Sequence, residues 1–122
     1  MAQIYNCFDA LVFASGAEGF GMPVLEAMAC GVPVIYSNYS AHAEFAVGRP
    51  VRVRLVPDVP DPSFLGFVDM GDLIANTLAL IEDERLRHRL AQRALDKART
   101  MDWDAFTPLW QDLLARSLGE TG

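Results

Sequence analysis

The sequence predicts an α/β chain built on a small parallel sheet with helices packed against it. Three observations predict it. An apolar stretch, Ala10–Ala14 (ALVFA), precedes a glycine-containing loop and a helical pattern, and a second apolar stretch, Pro33–Ser37 (PVIYS), follows. Strand, helix and strand within about 28 residues is the spacing of a βαβ unit, which implies parallel pairing and a right-handed crossover. Three more helical patterns occupy most of the chain beyond Asp69.

Each element has its own signal. Ala2–Cys7 reads as the last turns of a helix. Ser15–Gly21 is a loop with three glycines. A helix starts near Met22, with Pro23 in the first turn where a missing N–H costs nothing. Gly31 stands where glycine favours the end of that helix. Asn38–Gly48 is loop or short helix. Val51–Val56 (VRVRLV) alternates apolar and basic residues, the pattern of a strand near a sheet edge with one wet face. Pro57–Pro62, with three prolines, is an irregular loop. Asp69 caps a helix over Met70–Ile81, and Asp72 approximates a capping box. A second helix spans Glu84–Ala98. A third starts at Asp102 or Trp103 and carries Phe106, Leu109, Trp110, Leu113 and Leu114 as an amphipathic stripe.

Three strands are few, because an open α/β domain normally has about five or six. A chain that opens on a helix end is therefore expected to belong to something larger. The length of 122 residues allows one small domain, and 52% hydrophobic composition excludes disorder. No apolar run reaches the ~18 residues of a membrane span, and no signal peptide is expected. A net charge of −6 argues against nucleic acid as a partner. Six of the ten basic residues nevertheless fall between Arg85 and Arg99, which reads as a solvated helix face ahead of a surface for acidic lipid. Cys7 and Cys30 share no motif spacing and read as small core residues in a reducing, cytoplasmic setting, with peripheral membrane attachment as the variant. His42 and His88 have no metal spacing and read as surface residues, so no metal or other cofactor is expected.

The chemistry concentrates in Ser15–Gly31, SGAEGFGMPVLEAMACG. Gly19 and Gly21 flank Phe20 at the carboxyl end of a strand, directly before a helix. Glycine lets a ligand approach the backbone, and a helix start offers free N–H groups to an anion, most naturally a phosphate. Glu18 and Glu26 stand on either side of that cradle. Carboxylates are poor neighbours for phosphate but good acceptors for paired sugar hydroxyls. A ligand with phosphates in the middle and hydroxylated rings at both ends matches: a nucleotide sugar.

The run EGFGMPVLEAMACGVPVI is similar to the E-x7-E segment of the large retaining glycosyltransferase family with two Rossmann-like domains, the GT-B architecture. Gly-Phe-Gly, the proline, Glu-Ala-Met-Ala and Gly-x-Pro-Val-Ile in register make the string specific, where two glutamates alone would not. Weaker similarity extends over YNCFDALVFAS and over Ile81–Trp103. The resemblance implies a partial Rossmann-like sheet, with residues 1–122 as the C-terminal half of the donor-binding domain. It implies that Glu18 faces the transferred hexose near the reacting carbon and serves catalysis. Gly19, Phe20, Gly21, Met22 and Val24 would line the sugar and diphosphate, and Glu26 would hold the ribose. The family's diphosphate-neutralising basic residues come from earlier strands, and its acceptor site from the other domain. A missing N-terminal domain or a partner subunit is therefore implied.

Structural alternatives exist for each residue. Glu26 could answer the helix dipole, Glu18 could be a solvated loop acid, and Ser15 could cap a turn; the surrounding string favours the donor roles for both glutamates. For Glu44 the structural role is favoured. The stretch GRPVRVRLVPDVPDPSF departs from the family's glycine-rich turn, and Ser15-Gly16-Ala17 is a smaller approach than usual. The competing function is a non-catalytic module that binds a nucleotide or acts only in assembly. Self-association is expected through an apolar surface formed by Leu11, Phe13 and the C-terminal stripe.

Overall fold

The computed structural model describes residues 1–55 and 66–119. Helix α1 (Ala2–Tyr5) leads into strand β1 (Leu11–Phe13), helix α2 (Met22–Ala29) and strand β2 (Val34–Ser37). A short helix α3 (His42–Phe45), strand β3 (Gly48–Val51) and the small strands β4 (Val53–Leu55) and β5 (Gly66–Val68) follow. Helices α4 (Met70–Glu82), α5 (Glu84–Arg99) and α6 (Trp103–Ser117) complete the order. β1, β2 and β3 form a parallel sheet in that order, in register from Leu11↔Val34 and Val34↔Gly48. The fold is a partial Rossmann-like α/β sheet, as the βαβ spacing predicts.

Alternation along β2 divides the core. Val34 and Tyr36 pack with Val24, Ala27 and Met28 of α2 and with Ala94 and Ala98 of α5. Ile35 points the other way, to Leu80 of α4, Leu90 of α5 and Val51. The small residues of α2 and α5 let those helices pack closely on one face. Met28, Ile35 and Leu80 are each essentially fully buried, and such side chains contribute about 1.5–3 kcal/mol apiece.

One strand departs from the sequence-based expectation. The third parallel strand is Gly48–Val51, and not Val51–Val56. Gly48 is what allows it, since a Cβ there would run into the carbonyl oxygen of its register partner Val34. Pro50 is tolerated because β3 lies at the sheet edge, where a missing N–H breaks no ladder. Asn76 of α4 covers that edge, accepting from Arg49 Nε at 2.8 Å and donating to the Pro50 carbonyl at 3.0 Å. Arg52 interrupts the alternating run: its N–H donates to Asp72 Oδ2 and its carbonyl accepts from the Asp69 N–H, both at 2.8 Å. The remainder, Val53–Leu55, pairs antiparallel with β5. Val56 and the loop over Pro57–Pro62 lie outside the described residues.

The helix signals hold. Asp69 Oδ1 accepts from Asp72 N–H at 2.9 Å, while the Asp72 carboxylate turns to Arg52 instead of closing a full capping box. Asp83 and Asp102 cap α5 and α6 in the same way. Arg87 closes the end of α4 by donating to the carbonyls of Leu80 and Ile81. Among the basic residues of α5, Arg85, Arg89, Arg93 and Lys97 are exposed, which fits a solvated face. No helix among the described residues is long and apolar enough to cross a membrane.

Two expectations about surfaces are corrected. Leu11 and Phe13 pack against the core, and it is Val12 of β1 that is 47% exposed. Val12 lines a groove of about 330 Å³ with Ala10, Ile35, Leu80 and Ile81, on the face of the sheet that α4 only partly covers. Cys7 is exposed rather than in the core, and Cys30 is partly buried. The α6 stripe is open along its length: none of that helix is buried, and Pro108 interrupts its hydrogen-bond ladder.

Candidate functional site

Parallel strands put the loops that follow β1 and β2 at the same end of the sheet, and the candidate site forms where these two loops meet. The first loop climbs from Phe13 to Gly21, the N-cap of α2. Gly21 has φ +87°, a left-handed conformation that other residues adopt only at a cost. Pro23 follows in the first turn, and Val24 N–H folds back to the Gly21 carbonyl at 3.0 Å. The amide groups of Gly19, Phe20, Gly21 and Met22 have no acceptor among the described residues. Four successive free N–H groups at a helix start are a ready receptor for an anion.

The two glutamates are both oriented by hydroxyl groups. Glu18 is half-buried, and its Oε1 accepts from Ser15 Oγ at 2.7 Å. Its backbone is held separately: Ser40 Oγ accepts from Glu18 N–H at 3.1 Å and donates to the Glu18 carbonyl at 2.5 Å. Ser40 has φ 62°, and these two bonds hold the serine in that uncommon conformation. Glu26, one turn into α2, accepts from Tyr5 Oη at 2.8 Å on Oε2. Burial, reinforced by that carboxylate, pushes the Tyr5 phenol up to about 12, so it remains a donor at any physiological pH. Glu26 Oε1 is left without a hydrogen bond among the described residues.

The remaining sequence-nominated residues fall around the cradle in different ways. Phe20 stacks on Phe45 with ring centres 4.8 Å apart, fixing one wall. Met22 is exposed at the helix start, whereas the Val24 side chain is wholly buried behind it. Val24 can therefore shape the site only from below. Glu44 is exposed and its side chain bonds nothing among the described residues. Ser15 Oγ also lies 3.1 Å from the Ala17 carbonyl, the turn-capping contact, but its single proton serves the shorter bond to Glu18. Among the described residues no group of three His, Cys, Asp or Glu side chains could hold a metal ion.

His42 is the main correction. Expected at the surface, it is fully buried. The Phe13 and Tyr36 rings meet it edge-on, at 5.6 and 6.2 Å. Its Nε2 lies 2.9 Å from Ser37 Oγ, which donates to the Ser15 carbonyl at 2.6 Å. With its proton already used, that hydroxyl accepts from the ring, which places the histidine proton on Nε2. Nδ1 is left buried with no partner among the described residues. Burial holds the His42 proton affinity below the ordinary 6.5, with the Glu18 carboxylate pulling the other way. Sequence reasoning missed Ser37, Ser40 and His42. The available signal was the polar run Ser37-Asn38-Tyr39-Ser40, which leaves a buried strand at the ligand-binding end of a parallel sheet.

Residues 1–50 match the family model described as Glycosyl transferases group 1, which takes in β1, the whole loop and α2. Over this segment the chain matches the group 1 glycosyl transferases. It is 33% identical over 107 residues to O-antigen chain mannosyltransferase B of Escherichia coli, covering 88% of this chain and 25% of that protein. It is 33% identical over 105 residues to D-inositol 3-phosphate glycosyltransferase of Thermomonospora curvata, covering 86% of this chain and 22% of that one. Mannosylfructose-phosphate synthase of Agrobacterium fabrum matches at 31% over 130 residues, 99% of this chain and 24% of the relative. The chain thus spans about a quarter of the length of the relatives it matches. Residues 1–50 of this chain contain both glutamates and every amide of the cradle.

Proposed function

We propose that this chain is the donor-binding part of a retaining glycosyltransferase, holding a nucleoside diphosphate sugar at the start of α2. The observation that carries the reading is the row of four free amides, Gly19 to Met22, between two carboxylates that hydroxyl groups already orient. The diphosphate lies on the amides. Glu26 accepts from the ribose hydroxyls through the oxygen that Tyr5 leaves free, and Glu18 faces the transferred hexose. Phe20 and Met22 bound the sugar side, and Val24 supports the helix start from the core. No metal is invoked, since amide dipoles and basic side chains supply the positive potential. Those basic side chains belong to the first half of the donor domain, of which residues 1–122 are the second half, and the acceptor site belongs to a further domain or partner subunit. One of the named relatives is a mannosyltransferase, which supports a hexose as the transferred group. The setting we propose is cytoplasmic, at the periphery of a membrane.

Retaining transfer needs an acceptor hydroxyl held against the anomeric carbon with water excluded, and an open sheet end cannot do that alone. The isolated chain is therefore expected to bind a sugar nucleotide and transfer nothing. Calorimetry with UDP-glucose and GDP-mannose, alongside a radiolabel transfer assay, checks both halves. Turnover without an added partner contradicts the account of the second domain. Absence of binding with every sugar nucleotide points instead to a non-catalytic assembly module.

The open groove beside Val12 and the exposed α6 stripe are also surfaces of the kind that another domain covers. In the isolated chain we expect them to drive self-association. Sedimentation over a concentration series should show a dimer or larger species, and a monomer throughout would contradict it.

A further inference from the structure

His42 Nδ1 is fully buried and has no hydrogen-bond partner among the described residues. A Cβ on Gly21, the N-cap of that helix, would sit 3.2 Å from it. This lone pair thus lies beside the N-cap glycine of the helix whose start carries the free amides. We propose that His42 is a positioning residue of the donor site that takes up a proton when the diphosphate settles on the start of α2, so that donor affinity rises as pH falls. This rests on the reading of that site given above.

The surroundings of His42 bear this out element by element. β1 contributes only the uncharged Phe13 ring, and β2 contributes Ser37 and Tyr36. Burial raises the Tyr36 pKa, so that phenol stays neutral. α2 presents Gly21, with no charge. From the glycine-containing loop the Glu18 carboxylate attracts a proton to the ring, against the stronger effect of burial. On α3 itself Glu44 is exposed to solvent. In the free site His42 is therefore held neutral near pH 7.

A pyrophosphate on these amides would bring two negative charges to the neighbourhood of Nδ1. At an effective dielectric constant of about 20, a charge about 6 Å away raises a neighbouring pKa by about two units. Protonation at Nδ1 turns a bare lone pair into a donor beside the N-cap glycine of that helix, while Nε2 keeps its bond to Ser37. The linkage sign follows. Below the free-site pKa the ring is charged in both states and affinity is greatest. Affinity falls as pH rises from the free-site to the bound-site pKa, by up to tenfold per unit, and levels off above.

The test uses UDP-glucose and GDP-mannose, whose doubly esterified pyrophosphates do not titrate near neutrality. The His42 ring is titrated by NMR with and without saturating sugar nucleotide, and exposed His88 on α5 serves as the internal control. We expect the His42 pKa to rise by at least one unit on binding while His88 stays put. Calorimetry in two buffers of different ionisation heat should find proton uptake of up to one per ligand, and at least a tenfold tightening between about pH 7.5 and 5.5. His42→Gln retains an amide donor for Ser37 but cannot titrate, and its affinity should be flat over that window. Binding with an unmoved His42 pKa overturns the inference and leaves the donor site standing, as does a pH slope that survives in His42→Gln. If neither sugar nucleotide binds at any pH, the site reading and the inference fall together. The wild-type ring titration decides the matter even where the variant does not fold.

Discussion

Glu26→Ala is expected to weaken binding of a nucleoside diphosphate and of its sugar alike, by about ten- to a hundredfold. A ribose presents two adjacent hydroxyls, and an ionised carboxylate can accept from both. Charge-assisted bonds of this kind are worth about 1.5–3 kcal/mol, which converts to that range of affinity. Tyr5 strengthens the expectation, because its bond to Oε2 fixes the carboxylate before the ligand arrives. Glu18→Ala should behave differently. In the proposed donor pose its carboxylate would face the hexose, which a plain diphosphate lacks. Its backbone stays pinned by Ser40 even when the side chain is removed, so the amide cradle should survive the substitution. The diphosphate should then bind nearly as before, while the sugar nucleotide loses affinity. Four calorimetric titrations, two variants against two ligands, separate these roles. Equal losses of diphosphate affinity in both variants would show the assignment to be mistaken.

Gly48→Ala is expected to be the most destabilising of the glycine substitutions. Its Cβ would strike the Val34 carbonyl oxygen and approach Val34 Cγ2 to 2.8 Å, in the centre of the β2–β3 pairing. Neither strand can yield without breaking the ladder, so the cost falls at the upper end of overpacking, about 3 kcal/mol. That is a large share of the ~5–15 kcal/mol that holds a typical domain together. Gly31→Ala meets no atom within 4 Å but must keep φ +71°, at about 1–2 kcal/mol. Gly19→Ala has open space and an ordinary backbone, and should fall within about 0.5 kcal/mol of the parent. Urea unfolding of the three variants gives the ranking. A Gly48→Ala chain as stable as Gly19→Ala would mean that β3 is not seated against Val34.

What the sequence made legible is what short-range chemistry determines. Pro23 and Gly31 mark the two ends of α2, and Asp69 and Asp102 each mark a helix start, so these elements read directly. β3 did not read, because Gly-Arg-Pro-Val carries neither alternation nor strand propensity. It exists only because Gly48 fits against Val34 and Asn76 satisfies its outer edge. The neighbouring VRVRLV has the better pattern, yet Arg52 and the acidic start of α4 divide it. The same limit governs the site. The amides, Glu18 and Glu26 lie in one contiguous string, which is why they could be named. Ser40 and His42 reach that string from another loop, 22 residues beyond Glu18 in the case of Ser40. Only the parallel pairing of β1 with β2 brings the two loops together. A lone histidine in an alanine-rich turn gives no sign of burial until Phe13, Tyr36 and Gly21 are placed around it.

The claim beneath all of this is that a sugar nucleotide lies on the amides at the start of α2. Amide NMR of the isotopically labelled chain, titrated with UDP-glucose and GDP-mannose, tests it most directly. At least one ligand should shift the amide resonances of Gly19, Phe20, Gly21 and Met22 most strongly, with smaller shifts at Ser40 and Glu26, and leave those of α5 and α6 in place. Shifts concentrated instead in the groove beside Val12 or along the basic face of α5, with the Gly19–Met22 amides unmoved, would contradict it.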